Sequence, residues 1–331
     1  MATLSLYGKS VLVTGGAGFI GSHLIERIAA DDPSRVIVVD NLWLGKKTNV
    51  EPAAKQLGGR LKCFWEDAAD EARMTEILGG EKVDVVFDLA VIPLPASLEK
   101  PLWSVLENVK LTSVLCELQR LGLFKTLVHF SSSEAYGTAK FVPITEDHPL
   151  VQSTPYAASK SAGDLIALSY AHTFGLDTTV LRPFNNYGPR QNAGDFAGII
   201  PIVVNRVRQG IPIQIYGDGL QTRDYIYVTD TAEAAVRMYE EPASRGRVLN
   251  IGSGVELTVN DLVAEILGVM DRPIHPVEHI APRPGDVRRH MAGTKAAEEV
   301  FGFNQKVAPR DGMKKTVEWY LSQPVPEEGA V

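Results

Sequence analysis

The chain has 331 residues, 45% apolar and 22% charged, which is the balance of a globular protein with length for about two domains. Lysine and arginine number 33 against 40 aspartates and glutamates, a net charge of −7. An acidic chain lacks the basic field of a nucleic-acid binder, so an anionic ligand must be met by locally placed cations.

Ser10–Thr14 (SVLVT) is a short apolar run and predicts a first strand. Phe19–Ala30 predicts a helix with Ile20, Leu24, Ile25 and Ile28 on one face. Arg35–Asp40, Leu61–Trp65 and Val83–Leu89 read as further strands. Leu102–Gly122 is a long amphipathic helix closed by a glycine C-cap. Leu127–Ser131 is another strand. Tyr156–Phe174 is a second long helix, opened by Thr154 as N-cap and Pro155 in the first turn. Thr178–Arg182 is the next strand. Apolar strands separated by helices predict a parallel sheet covered on both faces, a Rossmann-type doubly wound α/β fold.

After Pro183 the rhythm changes. Residues 184–224 are rich in Gly, Pro and Asn around one helix, Ile199–Gly210. Asp230–Glu240 reads as a helix, Val248–Ile251 as a strand, and Thr258–Met270 as a helix with a Thr-Val-Asn-Asp capping pattern. Residues 271–290, rich in Pro and Arg, read as loop, and the tail after Pro324 as frayed. The expected organisation is a sheet domain over 1–183, joined by about 225–252. A smaller mixed α/β region covers 184–224 and 253–331.

Cys63 and Cys116 are the only cysteines. They make neither a disulfide framework nor a zinc spacing, so a reducing compartment, the cytoplasm, is expected. The histidines form no ligand set and no metal is expected: His23 and His129 read as packing residues, and His275, His279 and His290 as loop residues. The N-terminal residues carry no secretory signal pattern, and no apolar run reaches the ~18 residues of a membrane span.

The chemistry begins at TGGAGFIG, residues 14–21. Gly15 permits a tight turn after the first strand, Gly18 lets backbone approach a pyrophosphate, and Gly21 lets the helix pack on the sheet. Free N–H groups and the helix dipole then face the phosphates of a dinucleotide. Asp40, ending the second strand, can accept from the adenosine ribose and repels a 2′-phosphate, which favours NAD over NADP. Asp67, after the third strand, is a candidate partner of the adenine amino group.

Tyr156 and Lys160 share one helix face. A nearby ammonium and a cationic nicotinamide are expected to lower the phenol pKa from about 10. Tyr156 can then exchange a proton with a substrate hydroxyl while hydride moves to NAD. Ser131-Ser132-Ser133-Glu134 follows a strand, where α/β sheets place ligands, and a serine hydroxyl there can complete the relay.

Together these residues resemble the extended short-chain dehydrogenase/reductase superfamily, specifically the NAD-dependent nucleotide-sugar epimerase/dehydratase family. The matching segments are TGGAGFIGSH (14–23), DNL (40–42), SSSEAYG (131–137), YAASK (156–160), RPFNNYGPRQ (182–191) and YGDGLQTRDYIYVTD (216–230). The resemblance implies a dinucleotide-binding domain followed by a nucleotide-sugar region, and Ser132 as the catalytic serine. It implies cofactor contacts from Phe19, Ile20, Asn41, Leu89 and Ala90 beside Gly15, Gly18, Gly21, Asp40 and Asp67. Asn185, Arg223 and Arg283 then hold the sugar diphosphate, with Arg190 a further phosphate candidate and Tyr216 packing against the base. An acidic protein that binds a pyrophosphate needs such guanidinium forks. One departure is the apolar segment Val91-Ile92-Pro93-Leu94-Pro95, where the family carries polar or basic residues.

The resemblance also implies oxidation of the sugar at C4 to a 4-keto intermediate. The fate of that ketone depends on extra groups. Glu134 stands where the resembled dehydratases carry their C5 base, with Ser133 where some carry a proton donor, so a 4,6-dehydratase is the main expectation. A nucleotide-sugar 4-epimerase and a UDP-glucuronate decarboxylase are the alternatives. A non-catalytic NAD-binding sensor is the reading of a different class, which retention of Ser132, Tyr156 and Lys160 disfavours. A homodimer through the two long helices is expected, with no nucleic-acid or membrane partner.

Overall fold

The short apolar runs of the first half become one sheet. In the computed structural model, which describes residues 4–194, 196–283 and 285–325, these are β1 (Ser10–Thr14), β2 (Arg35–Val39), β3 (Leu61–Phe64), β4 (Val85–Asp88), β5 (Thr126–Phe130) and β6 (Asp177–Pro183). The connections are α1 (Phe19–Ala29), α2 (Glu51–Leu57), α3 (Glu71–Glu81), α4 (Leu94–Glu99), α5 (Pro101–Arg120) and α6 (Pro155–Phe174). Parallel strands need such crossovers, since a tight turn can only reverse the chain.

The second half adds β7 (Asn185–Tyr187), α7 (Ile199–Gln209), β8 (Ile213–Tyr216), β9 (Thr222–Arg223), β10 (Tyr225–Tyr227) and α8 (Val228–Glu240). It continues with β11 (Val248–Ile251), β12 (Leu257–Thr258), α9 (Val259–Val269), β13 (Val277–Ile280), α10 (Lys295–Phe301) and α11 (Pro309–Ser322). β11 returns to pair with β6, completing a parallel sheet in the order β11-β6-β5-β4-β1-β2-β3.

Alternate residues of each strand feed opposite layers. Val11, Val13, Val36, Val38 and Phe87 meet Leu24, Ile25 and Ile28 of α1 and Ala235 and Met238 of α8. Leu12, Ile37, Val39, Val86 and Leu127 meet Ile77 and Leu78 of α3 and Leu115 and Leu118 of α5. A third cluster joins Val203, Val204, Ile213, Ile215, Leu262, Ile266, Met313 and Val317. It gives the C-terminal part its own core.

Several elements depart from the sequence reading. α2, α3, α4, α10 and α11 are helices where none was expected. Residues 271–290 are not all loop: β13 pairs in parallel with β8, Val277 opposite Ile213, so His279 sits in a strand. The tail after Pro324 lies outside the described residues from 326 onward. Among the described residues no helix is long and apolar enough to cross a membrane.

Candidate active site

The sheet reverses its winding between β1 and β4, and a cavity of about 920 Å³ opens there, lined by the loops that follow these strands. Every site residue singled out in the sequence, from Gly15 to Arg283, lines this one cavity.

The glycine loop joins β1 to α1. Gly15 has φ +65°, a left-handed conformation that glycine adopts without penalty. Gly18 is the N-cap of α1, and no side chain caps that helix. The first-turn N–H groups from Phe19 to Gly21 are therefore left for an outside acceptor. A Cβ on Gly21 would stand 2.2 Å from the Gly15 carbonyl oxygen, so a side chain there would push α1 off the loop. Asp40 accepts from Ala17 N at 3.0 Å and Leu42 N at 2.8 Å. Burial raises its pKa and these backbone donors oppose the rise. Its carboxylate ties down the loop and still has lone pairs for ribose hydroxyls. Asn41 Oδ1 accepts from Trp43 N at 3.0 Å, and Asp67 Oδ1 from Ala69 N at 2.9 Å. Leu89 N and Ala90 N donate to Thr14 Oγ1 at 3.0 and 3.1 Å, which locks the end of β4 onto β1.

Tyr156 and Lys160 project from one face of α6. The helix starts as its sequence dictates, with Pro155 in the first turn and Thr154 Oγ1 accepting from Ala157 N at 3.2 Å. Lys160 Nζ donates to the Phe130 carbonyl at 2.6 Å. Burial depresses the Lys160 pKa, and the Asp88 and Asp164 carboxylates oppose that. The Tyr156 phenol is pushed up to about 12, chiefly by burial. A hydrogen bond with Ser132 pulls it down, and the charges of Glu134 and Asp164 push it further up. In this structure the Lys160 ammonium is held on Phe130 O and desolvation is the largest effect on the phenol.

The segment after β5 forms a one-turn 3-10 helix, Ser133–Tyr136, capped by Ser132, whose Oγ accepts from Glu134 N at 3.2 Å. Ser133 is buried. Burial also raises the Glu134 pKa, with Arg223 opposing and Asp286 reinforcing. Glu134, Ser132 and Tyr156 all line the cavity and are each partly exposed.

The part of the cavity lined by the C-terminal region is richer in arginine. Arg223 pairs with Asp286 at 2.5 Å and donates to Val287 O at 2.6 Å. The Arg283 guanidinium stacks on the Tyr216 ring at 3.9 Å. Asn185 N donates to Asp224 O at 2.9 Å, so β7 is fixed beside β10. Arg190, a further phosphate candidate that lines the cavity, is already engaged by protein groups. It pairs with Glu26 at 2.5 Å, donates to Asn49 O at 3.0 Å and meets His23 Nδ1 at 2.7 Å. It fastens the segment after β7 to α1, with its charge already answered.

Three features escaped the sequence reading. Asn108 of α5 accepts from Ile92 N at 2.7 Å and donates to Ile92 O at 3.1 Å and Ser159 Oγ at 3.0 Å. It pins the apolar segment 91–95 beside the catalytic helix; a polar residue on the buried face of a long helix was the available signal. At the cavity mouth Trp43 meets Trp103 at 5.5 Å and Phe196 at 5.6 Å between ring centres. These three come from distant segments, and no local pattern joins them. The third is a row of buried ionisable groups, Asp88 and His129 joined by strand register and Asp164 and Arg182 joined to them from α6 and β6.

The family profile described as the NAD dependent epimerase/dehydratase family matches residues 11–252. The chain belongs to this family. It is 37% identical over 314 residues to a UDP-glucose 4-epimerase of Mycolicibacterium smegmatis, covering 94% of this chain and 98% of the relative. It is 34% identical to a dTDP-glucose 4,6-dehydratase of Streptomyces niveus, covering 94% and 92%. A dTDP-glucose 4,6-dehydratase of Streptomyces venezuelae, solved with NAD bound, superposes with a TM-score of 0.88 at 32% identity over 94% of this chain and 97% of that one. The cofactor of the family is NAD, and the residues here fit it: uncapped N–H groups at the start of α1 suit a pyrophosphate, and the Asp40 carboxylate suits an unphosphorylated ribose.

Proposed function

We propose that this enzyme acts on a nucleoside-diphosphate sugar as a 4,6-dehydratase, with Tyr156, Lys160 and Ser132 serving C4 and Glu134 serving C5. The observation that carries the reading is the placement of Glu134 in the same cavity as Tyr156, close enough that its charge acts on the phenol.

NAD, when bound, supplies the acceptor and later the donor of one hydride. With a cationic nicotinamide and the Lys160 ammonium lowering its pKa against the effect of burial, Tyr156 would give up its own proton, and its Oη would then take that of the C4 hydroxyl as the C4–H bond is oxidised, with Ser132 Oγ bridging phenol and substrate. Lys160 stabilises the phenolate by its charge. The new C4 ketone acidifies C5–H. Glu134 removes that proton, and burial, by raising its pKa, makes it a stronger base than a solvated carboxylate. The C6–O bond breaks, and hydroxide leaves as water with a proton from Glu134 by way of Ser133. The hydride returned by the cofactor would go to C6, and the proton Tyr156 took from the C4 hydroxyl would pass through solvent to C5, for a net loss of one water. Arg223 and Arg283 hold the diphosphate, with Asn185 beside them and Tyr216 against the base.

A 4-epimerase is the second reading, favoured by the 37% identity to the mycobacterial epimerase and by Ser133, which is no carboxylic acid. The deciding experiment incubates the enzyme with NAD and a panel of UDP-, dTDP- and GDP-sugars and weighs the products. Loss of water supports the proposal; an isomer of unchanged mass supports the epimerase, and loss of carbon dioxide a decarboxylase. Glu134→Gln is expected to abolish water loss while sparing oxidation at C4; dehydration that survives it sinks the base assignment.

We also propose a cytoplasmic homodimer, built on α5 and α6. Leu98, Leu102, Leu106 and Leu165 are 49%, 73%, 58% and 61% exposed on or beside these helices, a stripe that a second copy would cover. Sedimentation should show a dimer that Leu102→Glu with Leu165→Glu splits; a monomeric wild type refutes it, and subcellular fractionation checks the compartment. Residues 1–183 with about 225–252 would hold the cofactor, and 184–224 with 253–331 the sugar nucleotide.

A further inference from the structure

The apolar segment after β4, Val91-Ile92-Pro93-Leu94-Pro95, has no part in the proposed reaction, yet all five residues line the cavity that holds Ser132 and Tyr156. Hydrogen bonds fix its place relative to the catalytic helix. Asn108 of α5 accepts from Ile92 N at 2.7 Å and donates to Ile92 O at 3.1 Å. The same amide donates to Ser159 Oγ at 3.0 Å, and Ser159 Oγ donates to the Tyr156 carbonyl at 2.8 Å. The segment is thus tied to the turn of α6 that carries the phenol, where the proposed reaction puts the sugar ring.

What this face can offer a ligand follows from its chemistry. No side chain from Val91 to Pro95 has a polar atom, and Pro93 and Pro95 have no N–H. Leu89 N and Ala90 N are spent on Thr14 Oγ1 at 3.0 and 3.1 Å, and Ile92 N on Asn108. Pro93 O accepts from Ser97 N at 3.2 Å and Leu94 O from Ser97 Oγ at 2.7 Å. Val91 N and Leu94 N are left without a partner among the described residues. Helix α5 continues the face: Trp103, Glu107 and Leu111, four residues apart, also line the cavity. Among the described residues Glu107 has neither a hydrogen bond nor an ion pair, and a carboxylate only accepts. A sugar hydroxyl turned to the apolar part would lose water and gain no partner, a penalty of about tenfold in affinity.

We propose that the sugar of the substrate carries an acylamino group in place of one hydroxyl. Val91, Pro93, Leu94, Pro95 and Trp103 receive its methyl end, and Glu107 accepts from its N–H. The inference rests on the reading of the chain as an enzyme of nucleoside-diphosphate sugars. Dehydration needs the hydroxyls at C4 and C6 and the hydrogen at C5, so the group stands at C2 or C3. An acylamino group matches each part of the face. Its methyl needs apolar surroundings, its N–H needs one acceptor, and its carbonyl needs one donor, for which Val91 N and Leu94 N remain. A free ammonium would reach Glu107 only by giving up water to apolar side chains, and a uronate carboxylate would be repelled by Glu107.

The test measures binding by calorimetric titration of the NAD-loaded enzyme, in a Tyr156→Phe background that prevents turnover. The sugars are glucose, glucosamine, 2-acetamido-2-deoxyglucose and 3-acetamido-3-deoxyglucose, each as its UDP, dTDP and GDP derivative. In the nucleotide series that binds, one acetamido sugar should bind at least about tenfold more tightly than glucose, and more tightly than glucosamine. Leu94→Ser, which sets a hydroxyl in the face, should cut that ratio to below about threefold by weakening the acetamido ligand. Glu107→Leu should weaken the acetamido ligand more than glucose, and equal losses overturn the role given to Glu107. A wild-type ratio near one, a preference for glucosamine, or a ratio unmoved by Leu94→Ser overturns the proposal. Circular dichroism checks folding, and Val91→Thr, which keeps the side-chain shape and adds a hydroxyl, replaces Leu94→Ser if the latter does not fold. Binding without preference sinks the acyl assignment alone, whereas failure of every series to bind also sinks the nucleotide-sugar reading.

Discussion

The same substitution at two glycines should change stability in opposite directions. At Gly21 a methyl group would meet the Gly15 carbonyl oxygen at 2.2 Å and Gly16 Cα at 2.8 Å. Ordinary contact begins near 3.4 Å, so α1 and the loop must part by about 1.2 Å, and both obstacles are backbone. Overpacking of this kind costs about 1–3 kcal/mol, a Tm loss of several degrees. The displaced loop also carries the N–H groups that face the diphosphate, so Gly21→Ala should weaken NAD binding about tenfold or more, 1.4 kcal/mol per factor of ten. Gly79 lies within α3, exposed, with nothing within 4 Å of its Cβ position. Gly79→Ala should raise stability by about 0.5–1 kcal/mol, because alanine has less chain entropy to lose. Differential scanning fluorimetry with and without NAD, backed by calorimetric titration, measures both. A Gly21→Ala protein with wild-type Tm and wild-type NAD affinity would refute the steric argument.

Buried polar groups give two further outcomes. His290 is fully buried against Phe184, and burial reinforced by Arg223 pushes its pKa from 6.5 to about 3. His23 is lowered to about 4. Below pH 6.5 the unfolded chain binds protons that the native histidines refuse. Stability therefore falls as pH drops from 6.5 towards those values and is level above it, by up to about 1.4 kcal/mol per pH unit for each histidine. His290→Gln should flatten the slope of Tm against pH in that window; an unchanged slope assigns the acid sensitivity elsewhere. Asn108→Ala strips Ile92 of both backbone partners at a cost of about 1–3 kcal/mol. Hydrogen exchange should quicken at Ile92 and leave β1 unchanged, whereas unaltered exchange at Ile92 means the segment is held by other contacts.

The sheet was legible because its strands are uninterrupted apolar runs, and the glycine loop because three glycines sit between a strand and a helix. α3 was missed: its buried residues are only Met74, Ile77 and Leu78, and Gly79 and Gly80 weaken its helical signal. β8 and β13 were missed because each is four residues long and their pairing joins distant segments. α11 carried a readable signal in Met313, Val317 and Tyr320 at helical spacing, all buried. The membership of the cavity was legible residue by residue, since sequence motifs mark strand ends and strand ends gather at the winding reversal. The partners of those residues were not. Nothing in RPFNNYGPRQ shows that Arg190 faces Glu26, and nothing in VVFD or LVHF shows that Asp88 faces His129, because only strand register brings them together.

The aromatic contact at the cavity mouth makes the molecule its own optical probe. Of four tryptophans in the chain, Trp43 and Trp103 touch each other edge to face where the glycine-loop side and the segment around Phe196 approach. A ligand that enters between these segments must alter the surroundings of both indoles at once. Unlabelled protein should thus report cofactor and sugar nucleotide separately, by the order in which its emission changes as each is added.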